Sequence, residues 1–240
     1  MICRLGAYPV WEVWSVLGQL TYGKGRGRRA EWEDLYGLRV LRCAADPEGW
    51  LGERRLRKAG TALRKGGALR TLTPSGFSRW DLMDACGLSP VDPGPFLRAQ
   101  SLPLTLETLE RQGLAPDRAA VALRGLRADR EMVRAAAALC PKVRHLIISA
   151  PRGGEELARW LRWEFGIPIL PQGEEAQVAL CFQPVESVTG TRLELYGSAP
   201  DLGGLTLTAP SLGEGDRQDL FLMTALWEGG RLAPDGVKIT

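Results

Sequence analysis

The sequence has little histidine and no closely spaced cysteines. It contains one histidine and five cysteines in 240 residues, and the cysteines are Cys3, Cys43, Cys86, Cys140 and Cys181. No two of them form a C-x-x-C motif, so the usual zinc sites lack ligands and most histidine-based catalysis is excluded. An odd, scattered set of cysteines also argues against a secreted disulfide framework. It predicts a reducing compartment, which we interpret as the cytoplasm.

Long apolar runs are also lacking. No segment reaches the ~18 apolar residues that a membrane-spanning helix needs. The best candidate, residues 10–20, is interrupted by Glu12 and Gln19. The nearest cluster of basic residues lies at 24–29, after the apolar stretch, whereas a signal peptide has its basic residues before it. We therefore expect a protein with no membrane association. Arginine outnumbers lysine 26 to 5, which we interpret as a sign of a GC-rich bacterial source.

What is present is an ordinary globular composition with an uneven charge distribution. Apolar residues make up 45% and charged residues 25% of the chain, and the net charge is only +3. Residues 1–70 nevertheless contain 14 basic and 7 acidic residues, whereas residues 71–240 contain 17 and 21. The composition predicts a folded core, and the charge distribution singles out the N-terminal region as basic.

Residues 38–171 alternate between short apolar runs and helical patterns. Strands are expected at 38–43, 68–73, 119–124, 145–150 and 167–170. Helices are expected at 51–65, 77–86, 104–112, 129–140 and 154–165, with a proline-rich linker over 88–103. This alternation predicts an α/β fold, a Rossmann-like parallel sheet with helices on both faces.

The two ends of the chain differ from this pattern. We expect residues 1–37 to form an appendage, in which an amphipathic helix begins at Pro9 and a basic glycine-rich loop follows over 22–29. Residues 38–240 are then a single α/β domain. Within it, residues 172–240 are predicted to form an antiparallel strand extension, with a helix at 216–228 and a last edge strand near residue 238.

Two stretches of the chain can be aligned with each other. At an offset of 77 residues, Leu69 matches Leu146 and Gly76 matches Gly153. One interpretation is that residues 38–113 and 114–171 are duplicated βαβα halves. The other is that any two βαβα units align this well by pattern alone, and the sequence leaves both open.

Ligands of open parallel sheets bind beyond the carboxyl ends of the strands, and this rule selects the candidate site. We expect a crevice between the two halves for a small anion or a nucleotide. The expected ligand-binding residues are Thr73, Ser75, Gly76, Arg124, Gly125, Ser149, Arg152, Gly153 and Gly154.

The strongest segment within this set is 149–156, a strand end with a glycine pair and a helix start. Its glycines let backbone N–H groups approach an anion, although Glu155 and Glu156 would repel a phosphate. The G-x-G-x-x-G, P-loop and G-x-S-x-G motifs are all absent. We therefore expect binding without recognisable catalytic machinery and can name no cofactor or metal.

Two other functions compete with small-ligand binding. Trp11 and Trp14 would allow the N-terminal segment to serve in protein interaction, including a homodimer through this Trp-rich segment. The basic N-terminal arm would allow nucleic-acid binding. The cations of residues 51–65 fit the solvated face of a helix, so nucleic acid is not the partner that we expect.

Overall fold

The structure is a computed structural model that describes residues 16–24, 27, 29–186 and 189–240. The chain divides into two compact units, Met1–Val91 and Asp92–Thr240. The boundary between these units, at residue 91, lies inside the predicted proline-rich linker, and the predicted division after residue 37 stays a prediction. Each unit contains its own five-stranded sheet.

The first unit has a sheet of mostly parallel strands. Its elements are β1 (Val16–Tyr22), β2 (Glu31–Leu35), β3 (Leu38–Ala45), α1 (Gly52–Lys65), β4 (Ala68–Leu72), α2 (Trp80–Asp84) and β5 (Ser89–Pro90). The sheet order is β2-β3-β1-β4-β5, in which β2 is antiparallel to β3 and the other neighbours pair in parallel.

The core of this unit lies where α1 packs on the sheet. Leu56, Ala59 and Leu63 recur on one face of α1 because they are three to seven residues apart. They pack against Leu20 of β1 and Cys43 of β3, which are direct neighbours in the sheet. This packing leaves the basic face of α1 toward solvent.

The second unit has a parallel sheet and most of the helices. Its elements are α3 (Gly94–Ala99), α4 (Ser101–Arg111), β6 (Ala120–Arg124), α5 (Arg130–Leu139), β7 (His145–Ser149), α6 (Gly154–Phe165), β8 (Ile169–Leu170), β9 (Val178–Cys181), β10 (Thr191–Glu194), β11 (Leu207–Thr208), α7 (Leu220–Glu228) and β12 (Lys238–Ile239). The sheet order is β10-β9-β6-β7-β8, and every neighbouring pair is parallel.

The predicted fold class is confirmed. The protein is a mixed α/β structure with one parallel and one mostly parallel five-stranded sheet flanked by helices, and a short antiparallel pair, β11 with β12, lies near its C-terminus. The strands β6, β7 and β9 are almost entirely buried, which explains why they read as continuous apolar runs. In the described part of the chain, no helix is both long and apolar enough to cross a membrane.

The prediction for the N-terminus is wrong where it can be compared. The expected helix reaches residue 20, but Val16–Tyr22 is a strand at the centre of the first sheet, and residues 1–15 lie outside the described residues. The apolar spacing of residues 10–20 suits a helix face. Pairing with β3 and β4 on both sides overrides this local pattern.

The prediction for residues 172–208 is also partly wrong. β9 and β10 were expected to run antiparallel, but Thr191 pairs with Val178 in a parallel ladder. The C-terminal helix begins at Leu220, because Asp219 and not Asp216 accepts a hydrogen bond from the N–H of Leu222 at 3.0 Å. The linker 88–103 is likewise not irregular, since it contains α3 and the start of α4.

The internal similarity is visible locally. Gly76 and Gly153 have φ values of 74° and 77°, so both turns use the left-handed conformation that glycine tolerates best. The sheet positions differ, however. β1 separates β3 from β4, whereas β6 and β7 are direct neighbours. The predicted duplication therefore stays a prediction.

Candidate site at the end of strand β6

The strand order of the second sheet defines a switch point. β6 is the first of its strands in the chain; the chain proceeds to β7 and β8 on one side and later to β9 and β10 on the other. In open α/β sheets, ligands bind beyond the carboxyl ends of the strands at such a reversal. Arg124 ends β6, and its direct neighbours in the sheet are Ser149 of β7 and Cys181 of β9.

Arg124 is the most unusual of these residues. Its side chain is partly buried, and its Nε is buried without a hydrogen-bond partner. With the described residues the guanidinium forms no ion pair or hydrogen bond. Leaving a buried donor unsatisfied costs about 1–3 kcal/mol, more for a charged group. A bound anion would remove this cost.

The neighbouring arginine on β10 is paired. Arg192 lies 2.8 Å from Glu194, and its Nη2 donates a hydrogen bond to the hydroxyl of Tyr196 at 2.7 Å. That hydroxyl donates to Glu194 at 3.0 Å, and burial raises the pKa of Tyr196. Arg192 therefore has its own counter-ion, although its Nε is also unpartnered. Arg124 has none among the described residues.

Cys181 of β9 is the direct sheet neighbour of Arg124 on β6 and of Glu194 on β10. It is fully buried, and burial raises the pKa of its thiol, although Arg192 and Arg124 oppose this shift. A protonated, inaccessible thiol is a poor nucleophile. We therefore assign Cys181 to the core of the sheet and not to chemistry.

The ends of β9 and β10 are already occupied by protein groups. Arg98 of α3 donates to the carbonyl oxygens of Phe182 and Leu195, each at 3.2 Å, and pairs with Glu131. The side-chain oxygen of Gln183 accepts the N–H of Leu126 at 2.6 Å. These contacts leave Arg124 and Ser149 as the polar groups at the ends of β6 and β7 that have no side-chain partner among the described residues.

The predicted glycine turn after β7 offers fewer free N–H groups than the sequence suggests. The N–H of Arg152 donates to Leu126, and the N–H of Gly154 donates to Ala150. The carbonyl of Arg152 accepts the N–H of Ala128 at 2.8 Å, which ties this turn to the one after β6. The side chain of Arg152 is exposed and remains available.

The nine predicted site residues are divided between the two units. Thr73, Ser75 and Gly76 follow β4 of the first unit. The other six belong to the second unit, at the carboxyl ends of β6 and β7. The sequence analysis did not include Arg192 and Tyr196 in the candidate site. The alternation of polar and apolar residues over 192–196 nevertheless predicts that both lie on one face of a strand.

A basic cavity of about 480 Å³ lies in the first unit. It is lined by Gly27, Arg54, Arg57, Lys58, Thr61, Ala62 and Lys65. Sequence analysis assigned these cations to a solvated helix face and did not expect a cavity there. Among the described residues, no group of three His, Cys, Asp or Glu side chains is arranged to hold a metal ion.

Comparison with known proteins supplies no family. No protein-family model matches the chain, and no curated protein does. Among solved structures, L-tryptophan dehydrogenase from Nostoc punctiforme is similar at 13% identity and a TM-score of 0.30, over 69% of this chain. The similarity spans 56% of the dehydrogenase. At this level it conveys nothing about substrate or cofactor. The class that the fold defines is a Rossmann-like α/β protein.

Proposed function

We propose that the second unit binds a small anionic ligand, a phosphate or carboxylate group, beyond the ends of β6 and β7. The observation that carries this proposal is the buried Nε of Arg124, which has no hydrogen-bond partner among the described residues and lies at the switch point of the sheet. The strand order could not be read from the sequence. Arg124 ends the strand at which the sheet order reverses, and open α/β folds bind ligands at such positions, which supports the proposal.

The chemistry of the neighbouring residues suits an oxyanion. A guanidinium binds a phosphate or carboxylate through two parallel hydrogen bonds. Ser149, beside Arg124 in the sheet, supplies a hydroxyl donor, and Arg152 lies in the turn that follows. A nucleotide would present its phosphate to this edge.

Binding is a better-supported role than catalysis. His145 begins β7 and therefore lies at the opposite edge of the sheet. Glu194 is committed to Arg192 and Tyr196. The proposal thus requires no general base.

Calorimetric titration with inorganic phosphate, AMP and NAD tests the proposal. We expect Arg124→Ala to weaken binding of the anion at least about tenfold, the loss of one charge-assisted pair. Arg144→Ala is the matched control, because Arg144 is an exposed arginine at the amino end of β7. Equal affinity in Arg124→Ala and the unchanged protein would refute the proposal.

A second variant guards against unfolding. Arg124→Met keeps the length of the side chain and removes the unsatisfied Nε, so the Tm of the ligand-free protein should be unchanged or higher. The increase in Tm that phosphate produces should be lost in this variant. Its persistence would place the anion elsewhere.

A further inference from the structure

Helix α1 has a charge imbalance that opposes its own stability. Over Gly52–Lys65 it contains six basic residues and one acidic residue, Glu53. Cations spaced three or four residues apart repel one another. Several of these cations also lie near the positive end of the helix dipole. This arrangement costs stability unless something outside the helix compensates it.

Four of these cations form one surface, which we name the basic stripe: Arg54, Arg57, Lys58 and Lys65. They line the cavity of the first unit together with Thr61, Ala62 and Gly27, and none of the described residues that line it carries a carboxylate. Eleven residues separate Arg54 from Lys65, so the basic stripe is about 16 Å long at 1.5 Å per residue.

Nearby carboxylates neutralise only part of this charge. Glu53 lies 3.0 Å from Arg57 and 3.6 Å from Arg79. Asp46 lies 2.6 Å from Arg55, outside the basic stripe. Arg54 and Lys65 are exposed and form no ion pair within the described part of the chain. The two ends of the stripe are therefore free to bind an anion.

Gly27 attaches the basic glycine-rich segment to this helix. It is buried with a φ of 66°, and its N–H donates to the carbonyl of Ala44 at 3.2 Å. A Cβ at this position would lie 2.3 Å from the carbonyl oxygen of Arg55 and 3.1 Å from the nitrogen of Ala59. Only glycine allows this close approach of residue 27 to the backbone of α1.

Two exposed aromatic side chains lie at the same edge of the first sheet. Trp50 is 90% exposed and lies in the loop between β3 and α1; Tyr22 is 48% exposed and ends β1. β1 and β3 are parallel neighbours, so their carboxyl ends lie at one edge. Exposed aromatic rings beside a row of cations are what proteins use to stack unpaired bases while they neutralise phosphates.

We propose that the first unit binds single-stranded nucleic acid, with the backbone along the basic stripe and bases stacked on Trp50 and Tyr22. A small anion would need one or two of the cations, whereas a chain of phosphates uses all four. Exposed aromatic rings favour a single strand over a duplex, whose bases are already stacked. This surface is independent of the Arg124 site, which lies in the other unit.

Fluorescence anisotropy with labelled dT20, U20 and a 20-base-pair duplex tests the proposal on the full chain. We expect affinity for the strands to fall with salt, with a log–log slope near −0.7 for each phosphate bound. Arg54→Ala/Lys65→Ala should weaken binding about 20-fold at 0.1 M salt and reduce the slope by about 1.4, since two contacts are lost.

The control is Arg118→Ala/Arg144→Ala, which removes two exposed cations of the second unit and the same net charge. It should change affinity less than about twofold if local contacts dominate over net charge. Equal losses in the two double variants would show attraction by net charge only and would overturn the proposal. Preference for DNA or RNA follows from comparing dT20 with U20.

Stacking is tested separately. Trp50→Ala should weaken binding of dT20 about tenfold or more and Trp50→Phe much less, because a stacked base contributes about 1–3 kcal/mol. Trp163→Ala is the matched control, since Trp163 is 88% exposed on α6 of the second unit. Tighter binding of the duplex than of dT20, or no effect of Trp50→Ala, would overturn the single-stranded assignment.

Discussion

The two units have similar sheets but differ in where their basic side chains lie. In each, the strand that occurs first in the chain, β1 or β6, occupies the centre of a five-stranded sheet. After β1 the chain enters a basic glycine-rich segment and the edge strand β2; after β6 it turns at Gly125 and enters α5. The first unit therefore exposes many cations along one helix, whereas the second has a partly buried arginine at a strand end whose Nε has no partner among the described residues. Similar sheets thus place basic side chains either along a surface or at a single point.

Charge follows this division. Residues 1–91 contain 15 basic and 9 acidic residues, and residues 92–240 contain 16 and 19. The overall value of +3 hides this contrast. A net positive charge favours an approaching polyanion at the first unit, whereas an anion at Arg124 would need specific local contacts because the second unit is net acidic.

The largest expected difference between the units is the loss of unfolding free energy when the glycine after the central strand is replaced by alanine. Gly27→Ala combines a positive φ with a backbone clash at 2.3 Å and should lower the free energy of unfolding by about 2–4 kcal/mol. A Cβ in Gly125→Ala would be tight only against the flexible end of Met132 at 3.0 Å, with ordinary contacts to Phe182 and Gln183, and should cost less than about 1.5 kcal/mol. Urea denaturation measures both.

Gly76→Ala serves as the control for backbone strain alone. Its φ of 74° is similar, but a Cβ there would meet nothing within 4 Å. A loss for Gly27→Ala no larger than for Gly76→Ala would show that the segment does not press on α1. The inference that residue 27 packs tightly against α1 would then be wrong.

The next largest expected difference between the units is in the reactivity of their cysteines. Cys86 of the first unit is partly exposed, whereas Cys140 is buried and burial raises the pKa of its thiol to about 11. At pH 8 iodoacetamide should therefore label Cys86 at least about tenfold faster, because the thiolate is the reactive form. Mass mapping of labelled peptides from the native protein gives both rates. Denatured protein, in which the two rates should converge, is the control.

The fold class was predictable because it depends on patterns within single segments. Runs such as residues 145–149 are apolar on both strand faces, and glycines such as Gly166 end helices in the left-handed conformation. These signals need no knowledge of the partner element. They located six of the seven α-helices that the described residues form to within a few residues; α3 was missed because its prolines resemble those of a linker.

Pairing between distant segments was not predictable. Whether residues 16–22 form a helix or a strand is decided by β3 and β4, and the direction of β10 is decided by β9. Arg124 was selected only as a strand-end residue; that its Nε is buried without a partner among the described residues is seen only in the folded structure. The basic stripe was assigned to solvent because the contact between Gly27 and α1 is not local in sequence.

The smallest expected difference is in the pH dependence of two aspartates at helix starts. In the first unit, a hydrogen bond from Arg79 lowers the pKa of Asp81. In the second, burial raises the pKa of Asp219, despite its hydrogen bond with the N–H of Leu222. A lowered pKa stabilises the fold above the unfolded value near 3.8 and loses that effect as the pH falls through the folded pKa. A raised pKa stabilises the fold below 3.8 and loses that effect as the pH rises through the folded pKa.

The two substitutions to asparagine should therefore act in opposite directions on a plot of unfolding free energy against pH. In the unchanged protein, the raised pKa of Asp219 should increase the free energy of unfolding as the pH falls from 7 toward 4, and Asp219→Asn should remove this increase. The asparagine can still accept the hydrogen bond that caps α7. In the unchanged protein, the lowered pKa of Asp81 should decrease the free energy of unfolding slightly on acidification, and Asp81→Asn should remove this decrease. The effect is small because Asp81 is exposed and solvent screens its interaction with Arg79. Urea titrations between pH 3 and 7 measure both slopes. Slopes of the same sign would mean that burial does not dominate at Asp219, and the contrast between the units would then be one of surface charge alone.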